Sequence, residues 1–189
     1  MKKYPITIGF DDATFELKSE AIHTKLIGVV CQGVRLMDVL SETITIDGND
    51  ATEALIRIVK QVKNHVQYIL TDTITFGGFN IVDIEQIFKK TQKPIIAITE
   101  RKIDLDSVRI ALVKKYPSSY KQKLRMIIKA GNLFQMDIKT AGGISQVYYH
   151  CQGINPLKVE RLLKRVCIDS KLPEPVRIAH IIGKLFALG

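Results

Sequence analysis

The feature that most restricts how this chain can fold is a change of period near residue 50. Before it, stretches at about residues 4–10, 25–33 and 34–46 alternate apolar and polar positions and are rich in β-branched residues, the pattern of half-buried strands. Beyond it, Ala54, Leu55, Ile58, Val59 and Val62 recur at helical spacing behind the turn Asp47-Gly48-Asn49-Asp50, so a helix of about four turns follows. A short apolar strand at 68–71, a helix at 81–90 and a strand at 94–99 continue the series. Strands joined through helices pair in parallel, whereas strands joined by turns pair antiparallel. The expected class is therefore α/β, with a mixed sheet in which an antiparallel meander feeds parallel strands and helices flank the whole.

That order fits a ribonuclease H-like mixed sheet better than a doubly wound parallel one. Helices at 104–115 and 120–130, parted by Pro117-Ser118-Ser119, extend it, as do a late strand around Tyr148-Tyr149-His150-Cys151 and helices at 155–167 and 174–186. There is no internal repeat. At 189 residues the chain reads as a single domain spanning 1–189, long enough to bury roughly two thirds of its unfolded surface without disulfides.

Cys31, Cys151 and Cys167 are far apart and odd in number, which argues against a disulfide framework or a zinc knuckle and for buried thiols in a reducing compartment. No apolar run reaches the roughly 18 residues of a membrane span, so no membrane role is expected and the cytoplasm is the expected location. The net charge of +9 creates a field that attracts nucleic acid or anionic surfaces, although solvated lysines give the same surplus. Lys114, Lys115, Lys121, Lys123, Arg125 and Lys129 form one basic region, and Lys158, Arg161, Lys164 and Arg165 another.

Two acids end apolar runs. Asp11 follows Ile6-Thr7-Ile8-Gly9-Phe10, and Asp72 follows Tyr68-Ile69-Leu70-Thr71. If these strands are neighbours, the carboxylates can converge on one divalent cation, Mg²⁺ or Mn²⁺, as phosphate chemistry commonly requires. Asp12 is adjacent to Asp11, but successive side chains on a strand point to opposite faces, so one of the two is expected in the site and Asp11 is preferred. Asp47 or Asp50 offers a third acid, against ordinary service in a turn or at a helix N-cap. Arg177, His180 and Lys184 share one face of the last helix, where a basic stripe meets phosphate or simply solvent, and His180 can hold a metal or take a proton. Arg101 and Lys102 follow the 94–99 strand and can balance phosphate charge. The stretch Phe76-Gly77-Gly78-Phe79 brings close-approaching backbone and aromatic faces suited to an extruded base, with at least one phenylalanine expected in the core.

Gly9-Phe10-Asp11-Asp12, the segment from Asp47 through Thr52, Thr71-Asp72-Thr73-Ile74-Thr75-Phe76-Gly77-Gly78-Phe79-Asn80, and Pro173-Glu174-Pro175-Val176-Arg177-Ile178-Ala179-His180 together resemble a mainly archaeal family related to endonuclease V. The resemblance spans nearly the whole chain and implies a ribonuclease H-like fold with magnesium-dependent cutting of a nucleic-acid strand near a deaminated base. By that resemblance Asp11 and Asp72 are metal ligands, Asp50 or Asp47 stands near a helix-leading glutamate, and His180 stands where the relative offers an aspartate. The chain departs from the relative in carrying Thr73-Ile74-Thr75 where that protein has Gly-His-Gly, and in lacking its Pro-Tyr-Ile-Pro wedge before Asp47.

The functional expectation is a Mg²⁺- or Mn²⁺-dependent endonuclease acting on DNA near uracil or hypoxanthine, in repair. Two alternatives use the same residues: a non-catalytic nucleic-acid-binding module, and a metal-dependent phosphatase or nucleotide-processing enzyme.

Overall fold

Alternation in the first third of the chain produces a meander: β1 (Ile6–Asp12), β2 (His23–Gln32) and β3 (Arg35–Thr45) pair antiparallel in chain order. Helix α1 (Ala51–Val62) then crosses over to β4 (Tyr68–Asp72), which lies parallel to β1. A two-stranded ribbon of β5 (Thr75–Phe76) and β6 (Asn80–Ile81) leads into α2 (Ile84–Thr91), and β7 (Ile95–Thr99) returns parallel to β4. Helices α3 (Leu105–Lys115) and α4 (Tyr120–Lys129) precede a hairpin of β8 (Phe134–Thr140) and β9 (Gly143–Gln152), with β9 antiparallel to β7. The seven-stranded order is β3-β2-β1-β4-β7-β9-β8. This computed structural model describes residues 4–14, 22–102 and 104–188, and the charged start at residues 1–3 lies outside them.

The two faces of the sheet are covered by different helices. Ile8, Phe10, Ile69, Ile95 and Ala97 pack with Ala54, Leu55 and Ile58 of α1, Ile87 of α2, Leu112 of α3 and Ile127 of α4. On the opposite face, Leu70, Ile96 and Ile98 pack with Val159, Leu162 and Leu163 of α5 (Pro156–Val166) and with Val176 of α6 (Glu174–Gly183), while Ile27 and Val29 meet Ala179. Burial of these large aliphatic side chains, at roughly 25 cal/mol per Å² of apolar surface, is the main favourable term.

Three local differences from expectation have physical causes. The helix expected from residue 81 starts at Ile84, because Ile81 pairs with Thr75 and the Asp83 carboxylate caps the helix by accepting from the Gln86 amide at 3.0 Å. The last helix is α-helical only to Gly183 and tightens into a 3₁₀ turn over Lys184–Leu188. Strand β8 was not anticipated, although Phe134, Met136 and Ile138 alternate with Gln135, Asp137 and Lys139 ahead of Gly142-Gly143.

Helix α6 crosses β1 at backbone contact. A Cβ on Gly9 would lie 2.4 Å from the Pro175 carbonyl carbon and the Val176 nitrogen, and one on Gly183 would lie 2.8 Å from the Asp12 carbonyl oxygen. Both glycines are therefore needed for the helix to lie this close. Gly9→Ala is expected to destabilise the fold by about 1–3 kcal/mol through overpacking. Urea unfolding tests this, and an unchanged midpoint would contradict the close crossing.

Candidate active site

Because β1, β4 and β7 are parallel neighbours, their carboxyl ends lie side by side, the place where open α/β sheets gather their sites. Phe10 is in register with Thr71, and Asp72 with Ile98. Asp11 and Asp72, each one residue further, therefore stand abreast at the sheet edge, with Glu100 just beyond β7.

These carboxyls repel one another in a partly dehydrated site. Asp11 is only 5% exposed, and its pKa is pushed up to about 8, by burial first and then by the charges of Asp72 and Asp12. Asp72 rises to about 6, again chiefly through burial and then through Glu100 and Asp12. Burial also raises Asp12, against the hydrogen bond its Oδ2 accepts from the Gly77 amide at 2.7 Å. Asp11 and Asp12 do point to opposite sides of β1, toward α6 and toward the glycine loop, but β1 ends there and both carboxyls stay at the rim. Glu100 was missed by sequence reasoning. The signal that singled out Asp72, an acid at the end of a short parallel strand, applies to it equally.

His180 is the basic side chain of the cluster. Its Nδ1 lies 2.8 Å from Asp11 Oδ2, on a ring whose side chain is 47% exposed. When Asp11 is ionised, Nδ1 donates to it, and the other ring nitrogen is left for a substrate or a proton. The crossing at Gly9 and Gly183 is what brings this helix to Asp11. Among the described residues, no lysine or arginine pairs with Asp11, Asp12 or Asp72, and the nearby Glu100 pairs with Lys171 at 3.3 Å.

Other expected residues have different surroundings. Asp47 accepts from the Phe79 amide at 2.9 Å and pairs with Lys115 at 2.8 Å. Burial pushes its pKa up, but Lys115, Tyr116 and the Phe79 amide together outweigh this and leave the carboxyl below its ordinary value. Asp50 occupies the N-cap position of α1 without capping it; its carboxylate accepts from the Thr45 amide and hydroxyl and from the Asn80 side chain, while Asn80 Oδ1 accepts from the Ala51 amide. The structure thus gives both acids partners in the loop scaffold and does not bring them into contact with Asp11 or Asp72. Arg177, expected to face phosphate, is paired with Glu174 at 2.7 Å and with Asp169 at 3.4 Å. The basic region of α3 and α4 is in part structural as well. Lys123 is buried with its Nζ donating to the carbonyls of Asp47, Gly48 and Phe79, and Lys129 pairs with Asp83. Arg101 and Lys102 are exposed directly after Glu100.

The glycine loop is tied to the acids. Gly77 donates its amide to Asp12, and its carbonyl accepts from the Asp47 amide at 2.7 Å. Gly77 and Gly78 have φ of +50° and +81°, and a Cβ on Gly78 would lie 2.3 Å from Asp47 Oδ1. Phe76 is core, whereas Phe79 is half-buried and stacks edge-on against Tyr116 at 5.6 Å. Thr73, immediately after Asp72, has φ of +57°, an uncommon conformation for a β-branched residue. Its hydroxyl accepts from the Thr75 amide at 3.0 Å, and its carbonyl accepts from the Thr71 hydroxyl. A mostly apolar cleft of about 190 Å³ opens beside this turn, bordered by Thr73, Thr75, Phe79, Thr99, Ile127 and His150. Thr73 follows Asp72 and Thr99 precedes Glu100, so the cleft lies at the same strand ends, on the face covered by α3 and α4, whereas Asp11 faces α6.

Among the described residues, no group of three or more His, Cys, Asp or Glu side chains is already gathered to hold a metal ion. Among the same residues no helix is long and apolar enough to cross a membrane.

A model of the family described as endonuclease dU matches residues 6–187. The chain belongs to the endonuclease dU family. It is 33% identical over 186 residues to a UPF0215 protein of Thermococcus gammatolerans, covering 96% of this chain and 92% of that one. It is 37% identical over 186 residues to a UPF0215 protein of Nanoarchaeum equitans, covering 97% and 89%. Both relatives are archaeal. Among solved structures, a protein of unknown function from Archaeoglobus fulgidus superposes with a TM-score of 0.83 at 29% identity, over 98% of this chain and 99% of that one. Endonuclease V of Ciona intestinalis, in complex with DNA containing an inosine, superposes with a TM-score of 0.60 at 12% identity, over 94% of this chain and 83% of that one. The mixed sheet of this endonuclease dU family member is thus that of endonuclease V, a ribonuclease H-like fold.

The carboxyl cluster carries a stability cost whose sign follows from its pKa shifts. Folded pKa values of about 8 for Asp11 and about 6 for Asp72 lie above the ordinary 3.8, so the fold holds protons that the unfolded chain releases. Stability is fully favoured below about pH 4 and is lost as pH rises toward 8. In chelator at pH 8, Asp11→Asn and Asp72→Asn should therefore melt above the wild-type protein, with the gain shrinking toward pH 5. Variants that melt lower than wild type at pH 8 would contradict the repulsion.

Proposed function

We propose that this protein is a metal-dependent endonuclease that cuts a nucleic-acid strand, in DNA, next to a deaminated base, as part of repair. The observation that carries this reading is the group of carboxyls at the ends of β1 and β4, raised in pKa by burial and by neighbouring acids. The donor set fits Mg²⁺ or Mn²⁺: the groups are hard oxygens, among the described residues no lysine or arginine pairs with them, and a divalent cation would relieve their crowding. Asp11 and Asp72 would hold the ion, with Asp12 the nearest further carboxyl. Asp47 and Asp50, proposed as a third ligand, would need to leave the loop partners described above. When bound, a divalent ion polarises the scissile phosphate and lowers the pKa of a bound water.

The chain's own residues supply the rest. His180, fixed through Asp11, moves a proton at the reacting oxygen. Arg101 and Lys102, exposed beside the acids, meet the flanking phosphates and bring salt-dependent affinity. The cleft beside Thr73 and Phe79 receives a flipped base, and excluding water there sharpens the selection. The family's description as endonuclease dU favours uracil as that base, and the inosine-containing DNA bound to the Ciona endonuclease V favours DNA with hypoxanthine as the nearest variant.

End-labelled oligonucleotides carrying one uracil, one hypoxanthine or neither, incubated with Mg²⁺, Mn²⁺ or chelator, test the reading. Metal-dependent products at the lesion are expected, absent with Asp72→Ala and reduced roughly 10²- to 10⁴-fold in kcat with His180→Ala. Oligonucleotides that are bound in a salt-sensitive way yet never cut would overturn the enzymatic reading.

A further inference from the structure

His150, on β9, borders the cleft and is 5% exposed. Its register partner is Ala97 of β7, which lines the same cleft. The Nδ1 atom is 3.1 Å from the Asn132 carbonyl oxygen, an acceptor only, so Nδ1 carries the hydrogen and donates. Burial lowers the imidazole pKa, against the raising effect of the Asn132 and Gly131 backbone, which keeps the ring neutral near pH 7. Nε2 is then left with a lone pair, and among the described residues this buried polar atom has no hydrogen-bond partner. A buried acceptor without a donor costs on the order of 1–3 kcal/mol, which a ligand supplying the donor recovers.

We infer that His150 Nε2 is a specificity-determining acceptor that reads the protonated ring nitrogen of a deaminated base. The inference rests on the proposal that the cleft receives a flipped base. Deamination changes the hydrogen-bonding character of one ring atom. N3 of cytosine is an acceptor with a lone pair, whereas N3 of uracil carries a hydrogen; N1 of adenine and N1 of hypoxanthine differ in the same way. Facing a lone pair on Nε2, uracil completes a hydrogen bond, and cytosine sets two lone pairs against each other. The rest of the wall is mostly apolar, formed by Ile74, Ala97, Val108 and Ile127 with the threonine hydroxyls at the rim, so this contact is the polar one available at the His150 side. It distinguishes a deaminated base from its parent. It does not separate uracil from thymine, whose N3 is also protonated; that distinction falls to exclusion of the C5 methyl group.

The test compares kcat/KM on duplexes identical except for uracil, cytosine or N3-methyluracil at one position, using wild type, His150→Phe and His150→Gln. His150→Phe keeps a ring and removes the acceptor, and it is expected to lose roughly 10- to 100-fold on uracil while its low rate on cytosine is unchanged. Gln can present its amide oxygen in the same region, so His150→Gln should recover part of the loss. Wild type should discriminate against N3-methyluracil by at least the same factor, a measurement that stands even if the variants fail to fold. If wild type cuts strands without regard to the base, the base-directed reading fails and this inference with it. If wild type is uracil-directed but His150→Phe keeps the full uracil-to-cytosine ratio, or N3-methyluracil is cut at the uracil rate, the role of His150 alone is overturned.

Discussion

The parallel pairing of β1 with β4 is the constraint on which the rest of the structure depends. In that register Phe10 meets Thr71, and the next residue on each strand is an aspartate. A slip of one residue would turn either side chain to the other face of the sheet and separate the pair. The register is held from both sides. Ile8, Phe10 and Ile69 bury against α1 and α2 on one face, and α6 lies against β1 at Gly9 on the other. The same close crossing brings His180 to Asp11, so one packing decision in the backbone sets two elements of the site.

The cluster that results stores electrostatic repulsion, because burial and neighbouring charges both disfavour ionisation of Asp11 and Asp72. The surroundings maintain it. Thr73 adopts its uncommon backbone conformation between hydroxyl bonds from Thr71 and to Thr75, and Gly77 fixes Asp12 through its amide. Strain and like-charge crowding at one strand edge are the common mark of a site arranged for binding rather than for stability. Lys123 and Lys115 act at one remove, tying the loops around Asp47 and Phe79 that border the cleft.

Much of this was legible in the sequence because the informative patterns were local. The change from alternation to helical spacing predicted the order of strands and helices, and acids ending apolar runs pointed to Asp11 and Asp72. What was not legible depended on contacts distant in sequence. Asp50 before a helical run has the form of an N-cap, yet Asn80, thirty residues later, takes over the Ala51 amide and also binds the Asp50 carboxylate. Arg177 lies on a helix face that reads as basic, but Glu174 and Asp169 neutralise it. His150 gave no signal within its strand, since what distinguishes it is a nitrogen without a partner among the described residues, at a cleft assembled from the segment 73–79, β7, β9 and two helices. Glu100 and β8 are different cases: an acid after a short parallel strand, and the alternation of Phe134, Met136 and Ile138 with polar residues, are both visible in the sequence.

The central claim is that the carboxyl edge of β1 and β4 is a divalent-metal centre. Anomalous diffraction from crystals of the wild-type protein soaked in Mn²⁺ tests it most directly. The account predicts a peak between the carboxylates of Asp11 and Asp72 that is lost in Asp72→Asn. No peak there at saturating Mn²⁺, or one lying only among Asp47, Asp50 and Asn80, would contradict it.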